Sequence, residues 1–175
     1  RIAIINDGEL QQFAPPLDCY NEPVNLFVAG FVGSPSMRFV QGAVDSGRFT
    51  DPELGIDLDV SSSVDINDNS RITLGIRPED VYLEGHGDIK NATDPISLEV
   101  DVVQPMGDKL MIYLRAPDSD LSFESEFDET DQTASKTDQL LMAADPTVDV
   151  EAGQPIETVL DRSQIHLFDS ASGEA

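Results

Sequence analysis

Apolar and polar residues alternate with a period of two along most of this chain from Arg38 onward. "MRFVQGAVDSGRFT" alternates around a Ser46-Gly47 turn, and "GIDLDVS" sets Ile56, Leu58 and Val60 on one face. "RITLGI" and "DVYLEG" are two more strand-like runs, parted by a charged corner, Arg77-Pro78-Glu79-Asp80. The clearest hairpin is "ISLEVDVVQPMGDKLMIYLRA". In it Ile96, Leu98, Val100 and Val102 share a face, Pro105-Met106-Gly107-Asp108 turns the chain, and Leu110, Ile112 and Leu114 share a face on the return. "QLLMAAD", "PIETVLD" and "IHLFD" read as three further strands, with a turn at residues 150–154 before the second. Roughly eight to ten short strands at this spacing predict a small barrel or sandwich.

The first 33 residues have a different texture. "RIAIINDGELQQFA" is two short runs around Asn6-Asp7-Gly8, a hairpin signal because Asn, Asp and Gly tolerate positive φ. "PPLDCYNEPVNLFVAGFVG" reads as helix, with Pro in the first turn and Leu17 and Tyr20 on one face. Pro23 breaks or restarts it, and Gly33 ends it. "SPSM" at 34–37 is a junction. Residues 118–140 are acidic and rich in Ser and Thr, and read as a mobile insertion whose start can be a strand.

Charge narrows the function classes. The formal net charge is −24, with Asp and Glu outnumbering Lys and Arg by 34 to 10. Such a surface repels phosphate backbones, which argues against nucleic-acid binding, and it repels anionic lipid likewise. It reads as the acidic surface of a halophile's cytosolic protein, where molar salt screens self-repulsion. Cys19 stands alone, so no intrachain disulfide and no Cys-based zinc site can form. No run reaches the roughly 20 apolar residues of a membrane-spanning helix. The chain starts at Arg1, without Met, directly in an apolar run, and so reads as cut from a longer protein.

Catalytic motifs are missing. None of Lys90, Lys109 and Lys136 follows the glycine that a phosphate-binding loop requires, and there is no nucleophile elbow and no H-E-x-x-H. His86 lies in a Gly-rich turn and His166 in a strand, and neither shows an acid–base partner pattern. Asp65, Asn67 and Asn69 imitate the start of a calcium loop, but Ser70 and Ile76 stand where Gly and Glu would be needed, so the reading is a polar turn. At the charged corner, Pro78 biases Arg77 to an extended backbone, Glu79 and Asp80 are placed to cap amides, and Arg77 is placed for a salt bridge to a neighbouring carboxylate, which would contribute only about 0–1 kcal/mol if exposed. The corner is expected to be a bend between strands, without chemistry of its own.

The order of motifs is more specific than any one of them. "RIAIINDGELQQ", "PLDCYNEPVNLFVAGFVGSPSM", "LGIRPEDVYL", "VVQPMGDKLMIYLR" and "IHLFDSASGEA" together resemble the C-terminal half of an ABC importer ATPase of the carbohydrate group, the maltose and glycerol-3-phosphate importers. The motif residues carried over by this resemblance are Gly33, Ser34 and Pro35 at the junction, Gly75, Arg77, Pro78, Glu79 and Asp80 at the corner, and His166, Leu167, Phe168 and Asp169 near the end. The roles implied for them are structural or regulatory.

The resemblance implies a division at the junction. Residues 1–33 would be the last hairpin and helices of a nucleotide-binding domain, and 34–175 a mainly β, OB-like (TOBE) regulatory barrel. It also implies a parent that hydrolyses ATP with Mg, dimerises with a second copy, works with membrane permease subunits on the inner face of the cell membrane, and takes a regulatory ligand or protein on its barrel. The ATP motifs of that family lie upstream of Arg1, so no catalytic residue, ATP site, metal site or cofactor is assigned to this chain. Two departures stand out: Ala14-Pro15-Pro16 replaces the family's Gly-Thr-Pro, removing a helix N-cap, and Pro35-Ser36-Met37-Arg38 replaces Pro-Pro-Met-Asn. The second softens the assignment to sugars. An importer of polyamine, iron or an oxyanion is the alternative, and an unrelated acidic β-barrel enzyme a more distant one.

Overall fold

Local turn chemistry sets the first element of the fold. In the computed structural model, which describes residues 1–61, 70–87, 89–117 and 139–175, β1 (Ile2–Asn6) and β2 (Glu9–Ala14) pair antiparallel. Asp7 and Gly8 between them both take positive φ, 49° and 84°, as a tight hairpin turn requires. Two short helices follow, α1 (Pro16–Asn21) and α2 (Leu26–Phe31). Pro15 precedes α1 and no side chain caps it, whereas the Asn25 carboxamide accepts from the Val28 amide and starts α2. The expected helical face is corrected here. Leu17 is exposed, and the inward residues are Cys19 and Val28, which pack with Ile4 of the hairpin.

Ten strands make up the rest of the described chain: β3 (Arg38–Asp45), β4 (Arg48–Asp51), β5 (Ile56–Asp59), β6 (Arg71–Ile76), β7 (Val81–Leu83), β8 (Ile96–Pro105), β9 (Leu110–Arg115), β10 (Gln139–Ala144), β11 (Pro155–Leu160) and β12 (His166–Asp169). They form two antiparallel five-stranded sheets, ordered β12-β6-β3-β4-β5 and β10-β9-β8-β11-β7. The fold is mainly β, an OB-like barrel. Period-two alternation puts Val44, Phe49, Ile56, Leu58 and Leu74 of one sheet against Leu98, Val100, Ile112, Leu114 and Leu140 of the other in a single core. Each such aliphatic side chain contributes about 1.5–3 kcal/mol by burial.

One sequence expectation changes in the β8–β9 hairpin. The ladder runs Val100↔Leu114 and then Val102↔Tyr113, so Asp101 is an extra, bulged residue. The bulge turns Val102 off the inward face, and Val103 packs on the core instead. Period-two reading fails at a bulge because one inserted residue reverses every side chain after it. Gln139 and Leu140, where the expected acidic insertion overlaps the expected strand "QLLMAAD", are the first residues of β10. The remainder of that insertion and the calcium-like turn at Asp65, Asn67 and Asn69 lie outside the described residues.

Acidic side chains make many of the turns. The carboxylates of Asp59, Asp145 and Asp161 each accept from the amide and hydroxyl of a Ser or Thr two residues on: Ser61, Thr147 and Ser163. Asp169 accepts from the amides of Ala171 and Ser172 and from the Ser172 hydroxyl. These bonds favour the ionised form and hold the carboxyls of Asp59, Asp145 and Asp169 below the usual carboxylate range.

Candidate functional site

The motif residues converge on the joint between the helices and the barrel. Arg77 leaves β6 in an extended conformation (φ −84°, ψ 145°), as Pro78 dictates, and Pro78–Asp80 form one 3-10 turn before β7. This extension turns the Arg77 side chain away from the strands and under the helices. It is 2% exposed, donating to the Val32 carbonyl at 2.9 Å and the Tyr20 carbonyl at 2.6 Å. Its guanidinium lies 3.6 Å from the centroid of the Tyr20 ring, and the Tyr20 hydroxyl donates to Glu79. The expected salt bridge is therefore corrected: a buried fork of donors grips two main-chain carbonyls, the geometry for which arginine is suited. The expected capping by Glu79 and Asp80 is not found among the hydrogen bonds of the described residues, where Glu79 accepts from Tyr20 instead.

Electrostatics follow from this burial. The Arg77 guanidinium is pulled below its ordinary range by desolvation, against the opposing charge of Asp80. The Asp80 carboxyl is pushed up to about 6, chiefly by burial and then by Glu79 and Asp161, with Arg77 opposing. Tyr82 is raised by burial and the same three carboxylates. His166 is held below its usual range by burial, then by Arg77, and stays neutral at pH 7.

Gly33 is required by this arrangement. Its φ is +130°, and a Cβ there would lie 2.9 Å from the Arg77 Nη1 and 3.2 Å from the Pro35 carbonyl oxygen. Pro35 follows a cis Ser34-Pro35 bond, which carries the chain from the helices into β3. Gly33→Ala should lower stability by about 2–3 kcal/mol through backbone strain and displacement of Arg77. Urea unfolding in molar KCl measures this. Gly55→Ala, where φ is +72° and a Cβ meets nothing within 4 Å, should cost less.

The remaining motif residues sit beside the clasp or hold the chain end. Gly75 pairs with His166 across β6 and β12, and a Cβ on Gly75 would meet the Met37 sulfur at 2.5 Å and the Phe168 ring at 2.9 Å. Phe168 is buried with Met37, Phe39 and Ala29 of α2, edge-on to Phe39 with centroids 6.1 Å apart, so this small second core joins barrel and helix. Leu167 points the other way, onto the main core. Asp169 folds the tail back so that Leu26 donates to the Gly173 carbonyl and Ala175 to the Val24 carbonyl.

Sequence reasoning missed the partners on the helical side. Because β1–β2 carries an irregular register after Ile4, Gln11 and Gln12 both reach the segment 22–25. The Gln11 side-chain oxygen accepts from Asn25, while Gln12 donates to the Glu22 carbonyl and accepts from the Val24 amide. The motif "ELQQ" thus binds the loop that in turn binds the chain end. Tyr20 and Arg77 are 57 residues apart, and no spacing rule pairs them.

Among the described residues no group of three or more His, Cys, Asp or Glu is placed to hold a metal ion. The sequence contains no phosphate-binding loop, and no ATP or Mg site is assigned to these residues. Among the described residues no helix is long and apolar enough to cross a membrane.

Comparison with known proteins agrees with this geometry. Residues 33–81, from Gly33 through the corner to β7, match the family model of the MalK OB fold domain. The xylose/arabinose import ATP-binding protein XacK of Haloferax volcanii is 37% identical over 175 residues, covering 100% of this chain and 41% of XacK. XacJ, with the same description and from the same organism, is 33% identical over 177 residues, covering 100% of this chain and 43% of XacJ. The osmoprotective compounds uptake ATP-binding protein GgtA of Synechocystis is 32% identical over 171 residues, covering 97% of this chain and 42% of GgtA. The chain thus spans about two fifths of the length of the curated relatives it matches.

Proposed function

Since this chain is kin to ABC importer ATP-binding subunits and carries the MalK OB fold, we propose that it is the regulatory portion of such a subunit in a sugar importer. The observation that carries the proposal is similarity along the whole chain to two sugar-import ATP-binding proteins. In this reading residues 1–33 are the end of the nucleotide-binding domain and 34–175 the regulatory barrel. The parent subunit binds ATP and Mg elsewhere, pairs with a second copy of itself, and sits at the inner face of the membrane against permease subunits.

The surface of residues 1–33 supports that division. Apart from Met106, every exposed large hydrophobic side chain among the described residues lies between Ile2 and Phe31. Ile5, Leu10 and Phe13 share one hairpin face and are 60%, 62% and 57% exposed. A two-stranded hairpin with one apolar face bare is marginal alone, so a covering surface in the rest of the subunit fits it. The opposite face already packs on Cys19 and Val28.

The expected result for the intact importer, reconstituted with its permease and binding protein, is ATP hydrolysis stimulated severalfold by sugars, pentoses first. GgtA favours one second reading, an importer of osmoprotective compounds. Stimulation by such compounds, or by polyamine, iron or oxyanion and not by any sugar, would overturn the sugar assignment while leaving the importer reading intact. Absence of ATP hydrolysis under every solute would overturn both.

A further inference from the structure

The two edge strands of one sheet meet without pairing. In the order β10-β9-β8-β11-β7, β10 and β7 are the ends, and β10 packs against β7 and the Pro78–Asp80 turn with no ladder of hydrogen bonds between them among the described residues. Side-chain packing alone closes the barrel along this seam, through Leu140 and Met142 of β10 and Val81 of β7. A seam without a ladder is the cheapest place for the barrel to open, because separation breaks apolar contacts but no row of backbone bonds.

Asp80 stands at this seam. Its carboxylate makes no side-chain hydrogen bond among the described residues and is half-buried. The groups acting on it are mostly of like charge. Glu79 is adjacent, and Asp161 is held close by a 3.2 Å bond from its amide to the Asp80 carbonyl. Tyr82 comes from β7, neutral. Arg77 is the single cation, and its donors are directed at the carbonyls of Tyr20 and Val32. The facing strand β10, "QLLMAA", brings no titratable side chain. Asp145 just beyond it is engaged by Thr147, and the field of Arg162 falls on Asp59.

We propose that this seam is a proton-sensitive latch: it is closed when the Asp80 carboxyl is neutral and loosens when Asp80 ionises against Glu79 and Asp161. The sign follows from solvation. Opening the seam returns Asp80 to water, where a carboxylate is ionised at lower pH, so rising pH favours the open form. The pH window lies between the ordinary Asp value of 3.8 and about 6, and loosening is complete above it. The same turn carries Arg77 and Glu79, which hold the helices, so a loosened seam weakens the grip on residues 1–33 as well.

The test is hydrogen exchange on the full chain in molar KCl, from roughly pH 4 to roughly pH 8, corrected for intrinsic exchange. Amides of β10 and β7 should exchange about tenfold faster at the upper end, relative to β3 and β4 in the other sheet. Asp80→Asn should abolish that excess. Asp161→Asn, which keeps an oxygen to accept from Ser163, should move the transition to lower pH by removing one repelling charge. An excess that persists unchanged in Asp80→Asn, or β10 exchange that tracks β3 at every pH, would overturn the latch. If Asp80→Asn fails to fold, the shift in Asp161→Asn decides, and an unmoved transition counts against the proposal.

Discussion

Transfer from molar KCl to low millimolar KCl should unfold this protein or lower its melting temperature by on the order of 10 °C or more. The net charge of −24 has few cations to offset it. Among the described residues the ion pairs at or below 4 Å involve Arg48 with Asp57, and Arg115 with Glu99 and Asp101. At about 0.01 M salt the Debye length is about 30 Å, and carboxylates right across the barrel repel one another; at about 1 M it is about 3 Å and only adjacent charges do. Many of these acids are also structural. Asp59, Asp145 and Asp169 organise turns in their ionised form, so acidification discharges the surface but weakens the turns. Circular dichroism against KCl measures the effect. Sucrose at matched osmolality should not replace the salt, because it strengthens burial without screening charge. Melting unchanged across the KCl series would count against salt adaptation of this surface.

Arg77→Met should cost about 2–4 kcal/mol. The Tyr20 and Val32 carbonyls lose charged donors, worth about 1.5–3 kcal/mol each, and the stacking on Tyr20 is lost as well. Relief from burying a guanidinium whose Nε has no partner offsets part of this. For a chain of this length the melting temperature should fall by roughly 4–16 °C. Arg77→Lys should recover little, since an ammonium cannot reach two divergent carbonyls and lie on the ring together. Hydrogen exchange should place the loss at α1, α2 and the residues up to Gly33, with the β8–β9 hairpin unaffected. Uniform loss of protection through the barrel would show that Arg77 supports the fold at large and is not a clasp for the helices.

The hairpin turns at Asp7-Gly8 and Ser46-Gly47, most strands and their inward residues were legible because each depends on interactions within a few residues: positive φ at Gly, alternation of side chains, and breaks at Pro. The order of motifs also pointed to the kind of fold and to the kinship. Asp101 escaped because a bulge has no local signature in a run of alternating valines. Leu17 was misplaced because six residues of helix define a face poorly, and burial went to Cys19 through the hairpin above it.

The corner "RPED" shows where sequence stops. By itself the sequence determined an extended Arg77, a bend at Pro78 and a strand on either side, since these are set by proline sterics and hydrophobic period. Only the tertiary structure decided that Arg77 is buried, that Tyr20, Val32 and Gly33 surround it, and that Asp80 is half-buried beside Asp161. Those pairings join residues far apart in the chain, and what selects them is the registry of whole sheets and the desolvation of charge where the surfaces meet, neither of which is encoded in any short stretch.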